Sequence, residues 1–150
     1  MKYINWLALI VGITALSIVV LYIKDDTTGI TAKYRTFTLK GDTFDMDVKV
    51  IITEDVAFAT KYVKENLDST VKFEDFDARA ISFPTNDGKS PIIWMATAED
   101  KGVIAHEIFH TALNIMYWTG MELNSETEEA FAYEVQHLTN SFYNQVNIIK

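Results

Sequence analysis

The residues best suited to chemistry in this 150-residue chain form one pentapeptide, His106-Glu107-Ile108-Phe109-His110. On an α-helix, residues four apart project from the same face, about one turn apart. His106 and His110 can therefore present two imidazoles to a single metal ion, with Glu107 angled toward the same space. Zinc takes nitrogen and carboxylate ligands tetrahedrally, and a catalytic zinc site combines three protein ligands with one water. The pentapeptide thus predicts two of three zinc ligands.

The pentapeptide is an HExxH motif, and Glu129 follows it after eighteen intervening residues. With that glutamate the chain resembles the gluzincin branch of zinc metallopeptidases. In that family the third ligand is a glutamate on the next helix, and aminopeptidase members often carry Glu-Gly/Ala-Phe-Ala there. The matching residues here are Glu129-Ala130-Phe131-Ala132. The resemblance covers about a third of the chain and extends to small metallopeptidases of phage and bacterial genomes. It implies that His106, His110 and Glu129 hold Zn²⁺ and that Glu107 is the catalytic general base.

Two residues beside Glu129 have alternative interpretations. If Ser125 is the N-cap of the second long helix, Glu128 falls at its N3 position and completes a capping box, which leaves Glu129 as the ligand. Glu128 is the alternative ligand, because helix boundaries inferred from sequence shift by a few residues. Tyr133 could hydrogen-bond the developing oxyanion, as tyrosines do in similar enzymes. Its alternative is an aromatic residue packed beside the first long helix.

Short strands are predicted before the motif. Residues 44–52 alternate apolar and polar side chains, which is the period of a half-buried strand. Further strands are expected at residues 36–39, 78–83 and 92–95. In similar enzymes the strand before the metal-binding helix lies at the sheet edge and pairs with an extended substrate, which gives residues 92–95 that role.

Capping signals delimit the helices. Thr53 is expected to cap a first helix, and Thr97 with Asp100 marks the start of the helix that carries the motif. Gly120 is its expected stop. This helix is apolar nearly all round, which predicts that it is buried. We therefore predict an α+β fold, a small mixed sheet packed on a zincin-like pair of metal-binding helices and preceded by one transmembrane helix.

The amino-terminal segment predicts a membrane anchor. Residues 4–23 contain no charge and are long enough, at about 1.5 Å per residue, to cross about 30 Å of hydrocarbon. A cleaved signal peptide is the alternative. We divide the chain into an anchor at 1–23, a linker at 24–33 and a zincin-like metallopeptidase domain at 34–150. We expect a single-pass membrane protein with its catalytic domain on the extracytoplasmic side.

Charge and cysteine content bound the partners. The net charge is −8, and every acidic residue follows the apolar segment. That balance argues against nucleic acid as a partner. The absence of cysteine excludes disulfides and thiolate ligands. The expected partners are a peptide or protein substrate and the lipid bilayer, and the oligomeric state is open.

The predicted function is hydrolysis of peptide bonds by a zinc-activated water, with Glu107 as the base. One alternative is a membrane-anchored, catalytically inactive zinc-binding module for structure or interaction. Another is a subunit whose small residues Gly12, Thr14, Ala15 and Ser17 pack against a second membrane span.

Overall fold

The structure is a computed structural model that describes residues 34–67, 70–72, 78–84 and 88–148. The described elements are four strands and three helices: β1 (Arg35–Leu39), β2 (Val48–Ile52), α1 (Val56–Asn66), β3 (Ala80–Phe83), β4 (Ile92–Met95), α2 (Lys101–Trp118) and α3 (Glu128–Ile148). The strands form one sheet in the order β1-β2-β4-β3. Strands β2 and β4 are parallel, and the other neighbouring pairs are antiparallel. The fold is α+β with a mixed sheet. Two other parts of the predicted fold class, the pair of metal-binding helices and the transmembrane helix, need correction.

The sheet is covered on both faces. Helices α2 and α3 pack on one face, where the larger core cluster includes Val50, Ile93, Ile108 and Phe142. Helix α1 packs on the other face, where Ala59, Val63 and Trp94 belong to a second cluster. Alternate residues of each strand therefore supply the two cores, as the period of two in a strand requires.

Strand β4 lies inside the sheet, between β2 and β3. All four of its residues are buried, because helices cover both faces of the sheet at this point. The prediction that residues 92–95 form an edge strand is therefore wrong. The edge on this side of the described sheet is β3, which pairs antiparallel with β4 and contacts α2.

The predicted single-pass membrane protein also needs correction. Among the helices between residues 34 and 148 that the structure describes, none is long and apolar enough to cross a bilayer. The apolar segment at 4–23, and with it the predicted anchor, linker and second-span contact, lies outside the described residues.

Helix α2 ends before Gly120, as predicted, but its start differs from the prediction. The capping signal placed Thr97 as the cap with Asp100 three residues later, whereas Asp100 itself is the N-cap. The Asp100 Oδ1 atom accepts hydrogen bonds from the backbone N–H groups of Gly102 and Val103, at 3.0 and 3.2 Å, and so caps the amino terminus. Gly120, just past the last turn, has a φ of 79°. This left-handed conformation favours glycine and ends the helix.

The caps of the other two helices differ from the predictions. Asp55, rather than Thr53, is the N-cap of α1. Helix α3 begins at Glu128, after a turn in which the Asn124 side chain accepts from the backbone N–H of Glu126. The predicted capping box at Ser125 and Glu128 gives way to this turn.

Candidate metal centre

The two histidines of the motif come together on α2. His106 and His110 are exposed, and their rings meet edge to face with centroids 4.6 Å apart. Their Nε2 atoms are 3.1 Å apart. Because the two residues are one helical turn apart, the helix itself produces this convergence. The predicted histidine pair is thus present at the protein surface.

The distance between the two Nε2 atoms fits a shared zinc ion. Zn–N bonds of about 2.0–2.1 Å at a tetrahedral angle separate two ligand nitrogens by roughly 3.3–3.4 Å. The 3.1 Å between His106 and His110 is close to that value. The same distance also fits a hydrogen bond between one protonated and one unprotonated ring nitrogen. The 3.1 Å distance is therefore compatible both with a shared zinc ion and with a direct hydrogen bond between the two rings.

Glu107 lies on a different side of α2 from the histidines. Its side chain is 7% exposed, whereas both histidines are open to solvent. Consecutive helical residues point about 100° apart, and this rotation turns Glu107 toward the sheet. Burial raises the pKa of the Glu107 carboxyl, and three groups partly offset the rise: the His106 charge, the Ser82 backbone N–H and the His110 charge. A carboxylate with a raised pKa is a stronger proton acceptor than an ordinary glutamate.

A partly buried hydroxyl pair joins Glu107 and its helix to strand β3. The Thr111 hydroxyl donates to the Glu107 carbonyl at 2.7 Å, and its oxygen lies 2.7 Å from the Ser82 hydroxyl. Since the Thr111 proton is used on the carbonyl, the Ser82 hydroxyl donates to Thr111. The spacing from Glu107 to Thr111 is one turn, so the threonine completes the face of α2 that packs on β3. Sequence analysis did not identify this pair.

The predicted third ligand does not join the histidines. Glu129 is exposed in the first turn of α3, where the Phe131 ring packs edge to face on Phe109 of α2, with centroids 5.1 Å apart. Within the described ranges, no three His, Cys, Asp or Glu residues form a group that could hold a metal ion. The prediction that α2 and α3 form a pair of metal-binding helices is therefore wrong. The Phe109–Phe131 contact joins α2 and α3 near Glu129. The Glu107 side chain points toward the sheet, next to Ser82 of β3.

The other residues predicted near Glu129 are also on the outside of α3. Glu128 is exposed at the start of the helix, and the Tyr133 side chain is 58% exposed. The alternative prediction, that Tyr133 packs beside the first long helix, does not agree with this exposure, because more than half of the side chain is open to solvent. An exposed hydroxyl is accessible to a ligand, but no described contact directs it toward His106 or His110.

A pocket of about 320 Å³ adjoins the motif. It is lined by Arg79, Ala80, Gly102, Val103, His106 and Glu107. The pocket connects the beginning of the edge strand β3 with the first turns of α2. A peptide that reached His106 and Glu107 from this side would therefore pass Arg79.

The buried carboxylate of Glu134 is a second group that sequence analysis missed. Glu134 is 1% exposed on α3, and its Oε2 atom has no hydrogen-bond partner within the described part of the chain. Near it, His137 Nε2 lies 2.7 Å from the Lys40 carbonyl oxygen, and His137 Nδ1 lies 3.5 Å from Asp42. The apolar period of α3 could have indicated the burial, because Glu134 lies four residues before the buried Leu138.

Comparison of the chain with models of known families, with curated proteins and with solved structures found no match. The resemblance to gluzincins therefore depends on His106, Glu107, His110 and the Glu129 segment of the sequence.

Proposed function

We propose that this chain is a zinc-dependent peptidase in which the histidine pair of α2 binds the metal and Glu107 is the base. The observation that carries the proposal is the 3.1 Å approach of His106 Nε2 and His110 Nε2 on one exposed helix face. Glu107, between them in sequence, has a carboxyl whose pKa is raised by burial. Zinc at such a pair would supply an activated water and polarise the scissile carbonyl. Among the described residues Glu129 is not grouped with the two histidines, so the proposal assigns the histidine pair alone as protein ligands.

Glu107 has two tasks in this scheme. One of its carboxylate oxygens accepts the proton released as water attacks the scissile carbonyl carbon. Glu107 then gives that proton to the leaving amine nitrogen as the C–N bond breaks, which returns the carboxylate to its starting state. The Ser82 N–H and the Ser82–Thr111 hydroxyl pair position β3 and α2 relative to each other, so they set where this carboxylate lies.

Mass-spectrometric analysis of peptide-library digests with the zinc-loaded chain tests the proposal. Wild type is expected to cleave, and Glu107→Gln to cleave at least about 100-fold more slowly, because a general base contributes at least that factor. Glu99→Gln, a change at an exposed glutamate before α2, is the matched control and should cleave like wild type. Hydrolysis that survives Glu107→Gln would exclude Glu107 as the base.

A catalytically inactive zinc-binding module is the second candidate. It is favoured by the burial of Glu107 and by the lack of a three-residue metal group in the described ranges. Under this alternative the histidine pair binds zinc, and no peptide in the library is cleaved by wild type or by either glutamine variant.

A further inference from the structure

The edge strand β3 offers backbone groups to an extended peptide. The Ala96 N–H donates to the Arg79 carbonyl at 2.9 Å, and the register pairs Ala80 with Met95. Residues opposite each other in an antiparallel pair alternate between hydrogen-bonded and non-hydrogen-bonded positions. Ala80 and Ser82 therefore direct their backbone N–H and C=O groups away from β4. The Ser82 N–H donates a hydrogen bond to the Glu107 carboxyl, so the groups that β3 offers to a peptide, among the described residues, are those of Ala80 and the Ser82 carbonyl. A peptide can add to a sheet edge of this kind as a further strand.

Arg79 stands at the beginning of this edge. Its side chain is 82% exposed, and it lines the same pocket as His106 and Glu107. A peptide lying along β3 toward the motif would bring its side chains or its carboxyl terminus next to the guanidinium.

Among the described residues, the Arg79 guanidinium makes one long ion pair, which leaves N–H groups that can donate to a ligand. Within the part of the chain that the structure describes, its nearest carboxylate oxygen, Asp100 Oδ2, is 3.9 Å away, beyond hydrogen-bond distance. The other oxygen of Asp100 is engaged by the first turn of α2, through Gly102 and Val103. Because Asp100 is held as a helix cap, it cannot turn both oxygens to the arginine. A guanidinium carries five N–H donors and binds a carboxylate best through two parallel hydrogen bonds.

We propose that Arg79 is a specificity-determining residue that selects peptides presenting a carboxylate at the β3 edge, near the bond to be cleaved. The inference deepens the proposed peptidase function and depends on it for its meaning in catalysis. The carboxylate can belong to an aspartate or glutamate side chain or to the carboxyl terminus of the peptide. The chain has a net charge of −8, and Arg79 is the permanently charged cation in the lining of this pocket, so the attraction of an acidic peptide to the pocket depends on Arg79.

The test compares binding with cleavage. Fluorescent peptides that differ at one position, Glu, Gln or Lys, are made with free and with amidated carboxyl termini. Binding is followed by fluorescence anisotropy in the presence of a chelator, and cleavage is followed with zinc. Wild type should bind the Glu or the free-acid peptide roughly five- to tenfold more tightly than the neutral one, with the preference weakening as salt is added. Comparing the side-chain series with the free and amidated termini shows whether Arg79 binds a side-chain carboxylate or the terminal carboxylate.

Variants assign the preference to Arg79. Arg79→Met should abolish it, and Arg79→Lys should retain part of it, because lysine keeps the charge and loses the two-pronged geometry. Lys101→Met is the matched control. Lys101 is an exposed cation in the first turn of α2 that lines a separate cavity of about 1130 Å³, so its loss should leave the preference intact.

The outcomes separate this inference from the peptidase proposal. Cleavage without any charge preference, or a preference that Arg79→Met keeps, overturns the role of Arg79 and leaves the peptidase standing. Carboxylate-dependent binding that requires Arg79, with no cleavage of any peptide, supports the binding role and contradicts the peptidase. Absence of binding by the acidic and free-acid peptides overturns the inference as well.

Discussion

Replacing Glu134 by glutamine tests whether α3 buries a carboxylate at a cost in stability. Glu134 is 1% exposed, and its Oε2 atom has no described hydrogen-bond partner. Burial raises the pKa of the Glu134 carboxyl. The charge of His137 and hydrogen bonds from Thr43 lower it again in part, and the charge of Asp42 adds to the rise. Glu134 therefore keeps its proton to a higher pH than an exposed glutamate does.

The sign of the pH effect follows from this raised pKa. Below the ordinary glutamate pKa of 4.5, Glu134 is protonated in both the folded and the unfolded chain and costs nothing. As the pH rises from there through the higher pKa of the folded state, the unfolded chain loses its proton first. Folding then has to bury a charge or hold a proton, so stability falls over this window. The full cost is present once the pH lies above the folded-state pKa of Glu134.

The contacts of Glu134 give the expected change in the free energy of unfolding. A buried acceptor without a partner costs about 1–3 kcal/mol. Glutamine keeps one oxygen for the Thr43 donors and removes the charge, but leaves its amide nitrogen unpaired. We therefore expect Glu134→Gln to stabilise the chain by about 1 kcal/mol at pH 7.5, or roughly 4 °C in Tm. The gain should disappear as the pH approaches 4.5.

Urea unfolding of the full chain, followed by tryptophan fluorescence at several pH values between these limits, measures the difference. Glu126→Gln removes an exposed carboxylate just before α3 and is the control, expected to follow the wild-type pH profile. The reasoning is refuted if Glu134→Gln destabilises the chain at pH 7.5, or if its free energy of unfolding keeps the wild-type dependence on pH.

Two further changes test the local structure around the motif. Thr111→Val and Ser82→Ala each break the partly buried hydroxyl contact, and each should cost about 1–2 kcal/mol in urea unfolding. A double-mutant cycle should show a coupling of about 1 kcal/mol, and strictly additive costs would contradict the contact. Gly120→Ala should cost about 1 kcal/mol because Gly120 has a φ of 79°, whereas Gly102→Ala, in the first turn of α2, should change the Tm little. Equal Tm values for the two alanine variants would contradict the assigned role of Gly120.

Local signals predicted the helix that carries the motif well. The left-handed Gly120 depends on neighbouring residues only, so it could be predicted from the sequence. The predicted cap at Thr97 lay three residues before the actual cap, Asp100. The convergence of His106 and His110 is likewise a property of one helix. For the same reason Asp55 could replace Thr53 as a cap without altering α1 as a whole, since both lie within three residues of its start.

Features that depend on tertiary packing were harder to predict from the sequence. The apolar residues of β4 read equally well as an edge or a central strand, and only the order of the sheet decides between them. The apolar content of α2 predicted burial all round, yet Phe109, Tyr117 and Trp118 are exposed. The place of Glu129 depends on how α3 meets α2, which is set by the Phe109–Phe131 contact rather than by spacing along the chain.

The most direct test of the central claim is the zinc content of the purified full chain, measured by elemental mass spectrometry. The claim predicts close to one zinc per chain, lost in His106→Ala and in His110→Ala and retained in Glu107→Gln. Glu129→Ala and Glu128→Ala, measured beside them, show whether either glutamate contributes to zinc binding. A folded chain that contains no zinc, or zinc that persists in the His106→Ala and His110→Ala double variant, would contradict a metal centre on α2.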